Sequence, residues 1–96
     1  MTKLTEDQIR DKLFKLPSWA YQNGELIKTF TFKDFNTAIT CVNQVAAIAN
    51  NFNHHPDIDI RYNKVTFHLL THGEGGITEK DTGLASDIEK IVLSLL

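Results

Sequence analysis

The chain has 96 residues, 42% of them hydrophobic, which suits one globular domain with one core and leaves no room for a second. Ten basic and twelve acidic side chains give a net charge of −2, so no positive footprint for nucleic acid or an anionic membrane is present. Cys41 is the only cysteine, which excludes an internal disulfide and a cysteine-based zinc site. Met1-Thr2-Lys3-Leu4 leads into charged residues, so no signal peptide is expected. No apolar stretch approaches membrane-spanning length, and a cytoplasmic protein is the expectation.

Taken in chain order, Thr5-Glu6-Asp7-Gln8 fits a capping box, with a hydroxyl at the N-cap and a glutamine three residues on. The helix that follows should turn Ile9, Leu13 and Phe14 inward and stop before Pro17. Trp19 to Gln22 reads as a strand, Asn23-Gly24 as a turn that tolerates positive φ, and Leu26 to Phe32 as the returning strand. Leu26, Lys28, Phe30 and Phe32 share one face of it.

From Asp34 the period becomes helical. Phe35, Ala38, Ile39, Val42, Val45, Ala46, Ala49 and Phe52 form the expected buried stripe, and Cys41 reads as a small core residue. Asn53 and Pro56 bracket the helix end. Asp57 to Tyr62 alternates, Asn63-Lys64 is the expected tight turn, and Val65 to Thr71 alternates again with Val65, Phe67 and Leu69 on one face. Gly73-Glu74-Gly75-Gly76 reads as a flexible connection. Thr78 is the expected N-cap of a last helix whose stripe is Leu84, Ala85, Ile88, Ile91, Val92 and Leu95. The order helix, hairpin, helix, hairpin, helix predicts an α+β fold: a four-stranded antiparallel sheet with three helices packed on one face.

Three features carry possible chemistry: His54-His55-Pro56 after the long helix, His72 at a strand end, and Asp81 near a helix start. Imidazole titrates closest to neutrality, so it can give or take a proton at working pH. The start of the third strand and the end of the fourth are neighbours in an antiparallel pair, so His55 and His72 should flank one end of one hairpin. Taken alone, an adjacent histidine pair in a loop is an ordinary solvated feature, and Asp81 is an ordinary acid in a first helical turn. His68 reads as structural or interfacial. The glycine segment lacks the Lys-Ser/Thr ending of a phosphate loop, and no serine or cysteine stands beside the histidines for a nucleophilic triad. Adjacent histidines rarely both reach one ion, which argues against a metal site.

His54-His55-Pro56, Tyr62-Asn63-Lys64-Val65, Thr71-His72, Thr78-Glu79-Lys80-Asp81 and Leu84-Ala85 together resemble the signature of the pterin-4a-carbinolamine dehydratases. Trp19 and Phe30-Thr31-Phe32-Lys33-Asp34-Phe35-Asn36 add to the likeness, which spans nearly the whole chain. The resemblance implies dehydration of 4a-hydroxytetrahydropterin to a quinonoid dihydropterin, with no metal and no organic cofactor. It implies that His54 and His72 do the acid–base work. It places His55, Asp81 and Asn50 with the substrate-binding residues, Asp81 orienting a histidine or shaping the pocket.

Where the family usually carries an ionisable residue, four positions before the first histidine, this chain has Asn50. An amide keeps hydrogen bonding and loses the charge, so weaker activity is expected. The resemblance also implies a homodimer or homotetramer, and a protein partner for some relatives. The apolar ending Ile91-Val92-Leu93-Ser94-Leu95-Leu96 fits association independently. The alternative function is a non-catalytic interaction or dimerisation module on the same fold.

Overall fold

The computed structural model describes residues 2–96. Helix α1 spans Glu6–Leu13, strands β1 and β2 span Ala20–Gln22 and Glu25–Thr31, and helix α2 spans Phe35–Phe52. Strands β3 and β4 follow at Asp57–Arg61 and Lys64–Leu69, then a 3-10 turn at His72–Glu74 and helix α3 at Glu79–Leu95. The four strands form one antiparallel sheet in the order β1-β2-β4-β3, as the alternation of hairpins and helices predicts.

The local signals explain the element ends. Thr5 and Gln8 exchange both capping-box hydrogen bonds at the start of α1. Asp34 caps α2 by accepting from the Thr37 N–H at 2.8 Å, and the hydrogen bonds from Thr37 hold its carboxyl below the usual carboxylate range. Asn23 and Gly24 both adopt positive φ, 54° and 79°, as a tight hairpin turn requires.

One core joins the sheet to the helices. Leu26, Phe30, Val65, Phe67 and Leu69 alternate onto the buried face and meet Ala38, Cys41, Val45, Leu84, Ala85 and Ile88 from α2 and α3. Each large side chain buried this way contributes about 1.5–3 kcal/mol. Trp19, Phe30 and Phe67 stack edge to face, with centroids 6.2 and 6.0 Å apart. The Trp19 indole N–H donates to Glu89 at 2.8 Å, and Lys28 joins the same carboxylate at 2.5 Å, tying α3 to the first hairpin. The opposite sheet face carries Thr29, Thr66 and His68. Burial in the core pushes the Cys41 thiol up to about 11, so it is a packing residue.

Several expectations need correction. Phe14 does not turn inward: it is 89% exposed, because α1 ends at Leu13 and the chain turns so that Leu16 takes the inner place. The buried stripe of α2 is narrower than expected and centres on Ala38, Cys41, Val45 and Ala49. Phe35 and Phe52, at the two ends of the helix, are exposed, as is Ala46. The second hairpin turns at Tyr62-Asn63 rather than Asn63-Lys64. Lys64 pairs with Arg61, and Tyr62 takes the left-handed conformation at φ 55°. The glycine segment is an ordered structure: the 3-10 turn is closed by a Thr71–Gly76 bridge, with Gly75 left-handed at φ 66°.

Candidate active site

Helix α2 ends at Asn53, whose N–H reaches the carbonyls of Ala49 and Asn50 and whose left-handed backbone (φ 50°) turns the following residue back on the helix. The next N–H, that of His54, also returns to Ala49 O, at 3.1 Å. The chain therefore leaves the helix sharply at His54. Pro56 then keeps His55 from helical geometry, and β3 begins at Asp57. The β3–β4 register pairs Asp57 with His68. Continued three residues outward, that alignment brings His54 level with Thr71, the residue before His72.

Asp81 occupies this junction from the third side. It is the capping-box partner of Thr78 at the start of α3 and is completely buried. Its Oδ1 lies 2.6 Å from His54 Nε2. Its Oδ2 accepts from the Thr71 hydroxyl at 2.7 Å and from the Thr78 N–H at 2.9 Å. The Thr71 and Thr78 hydroxyls are themselves 2.9 Å apart. A carboxylate buried this deeply is tolerable because both oxygens have donors. Its partners are His54, Thr71 and Thr78, from the end of α2, the end of the second hairpin and the start of α3.

The other expected residues fall around this centre. His55 is exposed, and its Nε2 lies 2.9 Å from Asn50 Oδ1, one turn back on α2. His72 opens the 3-10 turn, exposed, directly after Thr71. His54 also lines a cavity of about 250 Å³ between the end of α2 and α3, with Phe52, Gly83 and Leu84 as its apolar wall and Glu79, Lys80 and Asp87 completing it. Neither His55 nor His72 lines that cavity. His54, Asp81 and Thr71 are thus joined directly, His72 is joined through the backbone, and His55 with Asn50 forms a separate adjacent pair. Among the described residues, no three His, Cys, Asp or Glu side chains converge as a metal-binding group. Among the same residues, no helix is long and apolar enough to cross a membrane.

The family model described as pterin 4 alpha carbinolamine dehydratase matches residues 2–91. The chain belongs to that family. A Chloroflexus aurantiacus protein assigned as a pterin-4-alpha-carbinolamine dehydratase is 46% identical over 92 residues, covering 96% of this chain and 99% of its own. One from Sulfolobus acidocaldarius with the same assignment is 45% identical over 89 residues, covering 93% and 98%. The crystal structure of a transcriptional coactivator/pterin dehydratase from Brucella melitensis superposes with a TM-score of 0.91 at 35% identity, covering 94% of this chain and 98% of that one. A pterin dehydratase-like RuBisCO assembly factor of the alpha-carboxysome, 21% identical, shares the fold with a TM-score of 0.68 over 77% of this chain and 88% of its own.

Within this dehydratase family member, sequence reasoning missed Thr71 and the cavity wall. Thr78 was legible as an N-cap and Asp81 as a first-turn acid, and their pairing as a capping box emerges from the structure. Nothing in the sequence shows that the second Asp81 oxygen is spoken for by Thr71, because that contact spans a loop and a strand end.

Proposed function

We propose that this chain is a pterin-4a-carbinolamine dehydratase, a hydro-lyase that converts 4a-hydroxytetrahydropterin to quinonoid dihydropterin and water. In this reaction the C4a–O bond breaks, the hydroxyl leaves as water after gaining a proton, and N5 loses its hydrogen as the C4a=N5 double bond forms. The step needs one acid and one base and no change in oxidation state of the protein. His54 and His72 are the catalytic pair in this reading. His55, with Asn50 behind it, binds and orients the pterin, and Asp81 acts through His54.

The observation that carries this reading is the buried Asp81 fixing the His54 ring beside the turn that bears His72, in a chain of this family. A positioned imidazole typically contributes ~10²–10⁴-fold to proton transfer. The test is the rate of 4a-hydroxytetrahydropterin dehydration by the wild type, His54→Ala and His72→Ala. Each variant should lose a factor in that range, and rates equal to wild type would remove the catalytic assignment.

Self-association into a homodimer or homotetramer belongs to the same proposal, as does a cytoplasmic location. Leu93 and Leu96 at the end of α3 are 69% and 82% exposed, and β1 and β3 leave both sheet edges open, which supports association. Sedimentation at micromolar concentration as a monomer would count against it.

A further inference from the structure

The hydrogen atoms of the Asp81 network can be assigned by counting donors. Thr71 owns one hydroxyl hydrogen and gives it to Asp81 Oδ2. The contact between the Thr71 and Thr78 hydroxyls must then be donated by Thr78. Thr78 Oγ1 is free to accept, and it does so from the Lys80 N–H at 3.2 Å. Every hydrogen in the chain therefore points one way: Lys80 N–H to Thr78, Thr78 to Thr71, Thr71 to Asp81. With Asp81 as a carboxylate, which only accepts, the facing Nε2 of His54 carries a hydrogen. The other ring nitrogen, Nδ1, has no hydrogen-bond partner among the described residues. It is also not sealed from solvent, because no buried side-chain nitrogen or oxygen lacks a partner among the described residues.

We propose that Thr71 is a positioning residue of the dehydration: its hydroxyl, oriented by Thr78, locks Asp81 so that His54 is held with Nε2–H inward and works through Nδ1. The same hydroxyl ties the His72-bearing turn to the His54 ring. Thr71 is placed for this twice over, since its backbone N–H and C=O also close that turn onto Gly76 at 3.0 and 3.4 Å. Without the hydroxyl, Asp81 Oδ2 keeps only the Thr78 N–H and can rotate about it. The His54 ring and the His72 turn then lose their shared anchor. This inference rests on the proposed dehydratase reading for its kinetic arm and on geometry alone for its spectroscopic arm.

The experiment compares Thr71→Val, which removes the hydroxyl, with Thr71→Ser, which keeps it. Dehydration kinetics are measured beside ¹⁵N NMR of the His54 ring at a pH where it is neutral. Wild type and Thr71→Ser should both show the Nε2–H tautomer and kcat values within about twofold of each other. Thr71→Val should show mixed tautomers and a kcat about tenfold lower with KM little changed, as expected for loss of orientation at the reacting centre. A Thr71→Val protein with wild-type kcat, or a folded one that retains the pure Nε2–H signature, overturns the inference. So does a wild-type His54 with hydrogen on Nδ1. If the wild type itself does not dehydrate the pterin, the functional reading fails, and the tautomer comparison still decides the role of Thr71.

Discussion

His54 and Asp81 lie 27 residues apart in the chain and meet at 2.6 Å, the imidazole partly buried and the carboxylate fully so. The contact joins the end of α2 to the start of α3. Asp81 is held against following the ring, because its other oxygen accepts from both the Thr78 N–H of the α3 capping box and the Thr71 hydroxyl. One carboxylate thus caps the start of α3 and holds an imidazole. The ring's orientation is tied to the stability of α3 itself.

Asp81→Asn should separate these two duties. The amide can still accept from the Thr78 N–H and the Thr71 hydroxyl through its single oxygen, which then presents NH₂ to His54. That reverses the donor at Nε2 and forces the hydrogen onto Nδ1. A kcat loss on the order of 10²-fold is expected, with a stability loss of about 1–2 kcal/mol. Steady-state dehydration kinetics and urea denaturation of the same preparation measure the two effects. A variant that loses stability and keeps full kcat would show that Asp81 serves only the helix.

Asn50 faces His55 Nε2 at 2.9 Å, so a carboxylate introduced there would meet the ring directly. Asn50→Glu should favour the protonated imidazole, since an opposite charge at hydrogen-bond distance stabilises the charged form. The pH–rate profile for dehydration should move toward higher pH, and kcat or KM should change several-fold, on the order of 1 kcal/mol. An unchanged profile with unchanged kcat and KM would mean that the amide at this position has no bearing on activity.

His68 offers a test of stability remote from the site. On the outer sheet face its Nδ1 meets Glu25 at 2.6 Å and its Nε2 meets Asp59 at 3.2 Å. The hydrogen bond it donates to Glu25 is the main cause raising its pKa above the ordinary 6.5, Asp59 adds to it, and partial burial opposes both. A histidine whose pKa is higher folded than unfolded binds its proton more tightly when folded. Its contribution is complete below the unfolded value and disappears as pH rises through the folded one. Urea midpoints of the wild type should therefore decline as pH increases above about 6.5. The His68→Gln variant should show a shallower decline over the same interval. Parallel curves for the two proteins would assign the pH dependence to other groups.

Much of this protein was written locally. The period-2 runs around Phe30 and Phe67, the helical stripe ending in Ile88 and Val92, the Asn23-Gly24 turn, the Thr5 capping box and the Thr78 N-cap depend on neighbours within a few residues, so the sequence alone determined the element order and hence the α+β fold. The errors lie where a competing long-range contact chose the outcome. Phe14 and Phe52 have core-like chemistry and helical spacing, but α1 ends before Phe14, and Phe52 walls the cavity beside His54 instead of joining the core. The β3–β4 turn lies one residue earlier than expected, at Tyr62-Asn63, where the Asn63 side-chain amide donates to Phe32 O and Asn63 O accepts from the Phe32 N–H, and Tyr62 takes the left-handed conformation.

His54, His55, His72, Asp81 and Asn50 could be picked out as residues, but not as a geometry. That Asp81 reaches His54, that Asn50 reaches His55, and that Thr71 completes the carboxylate's partners follows only when α2, the second hairpin and α3 pack on one core. A hydrogen bond needs its atoms within about 3 Å, and residues from three separate segments meet to that tolerance only after the apolar surfaces between them have been buried.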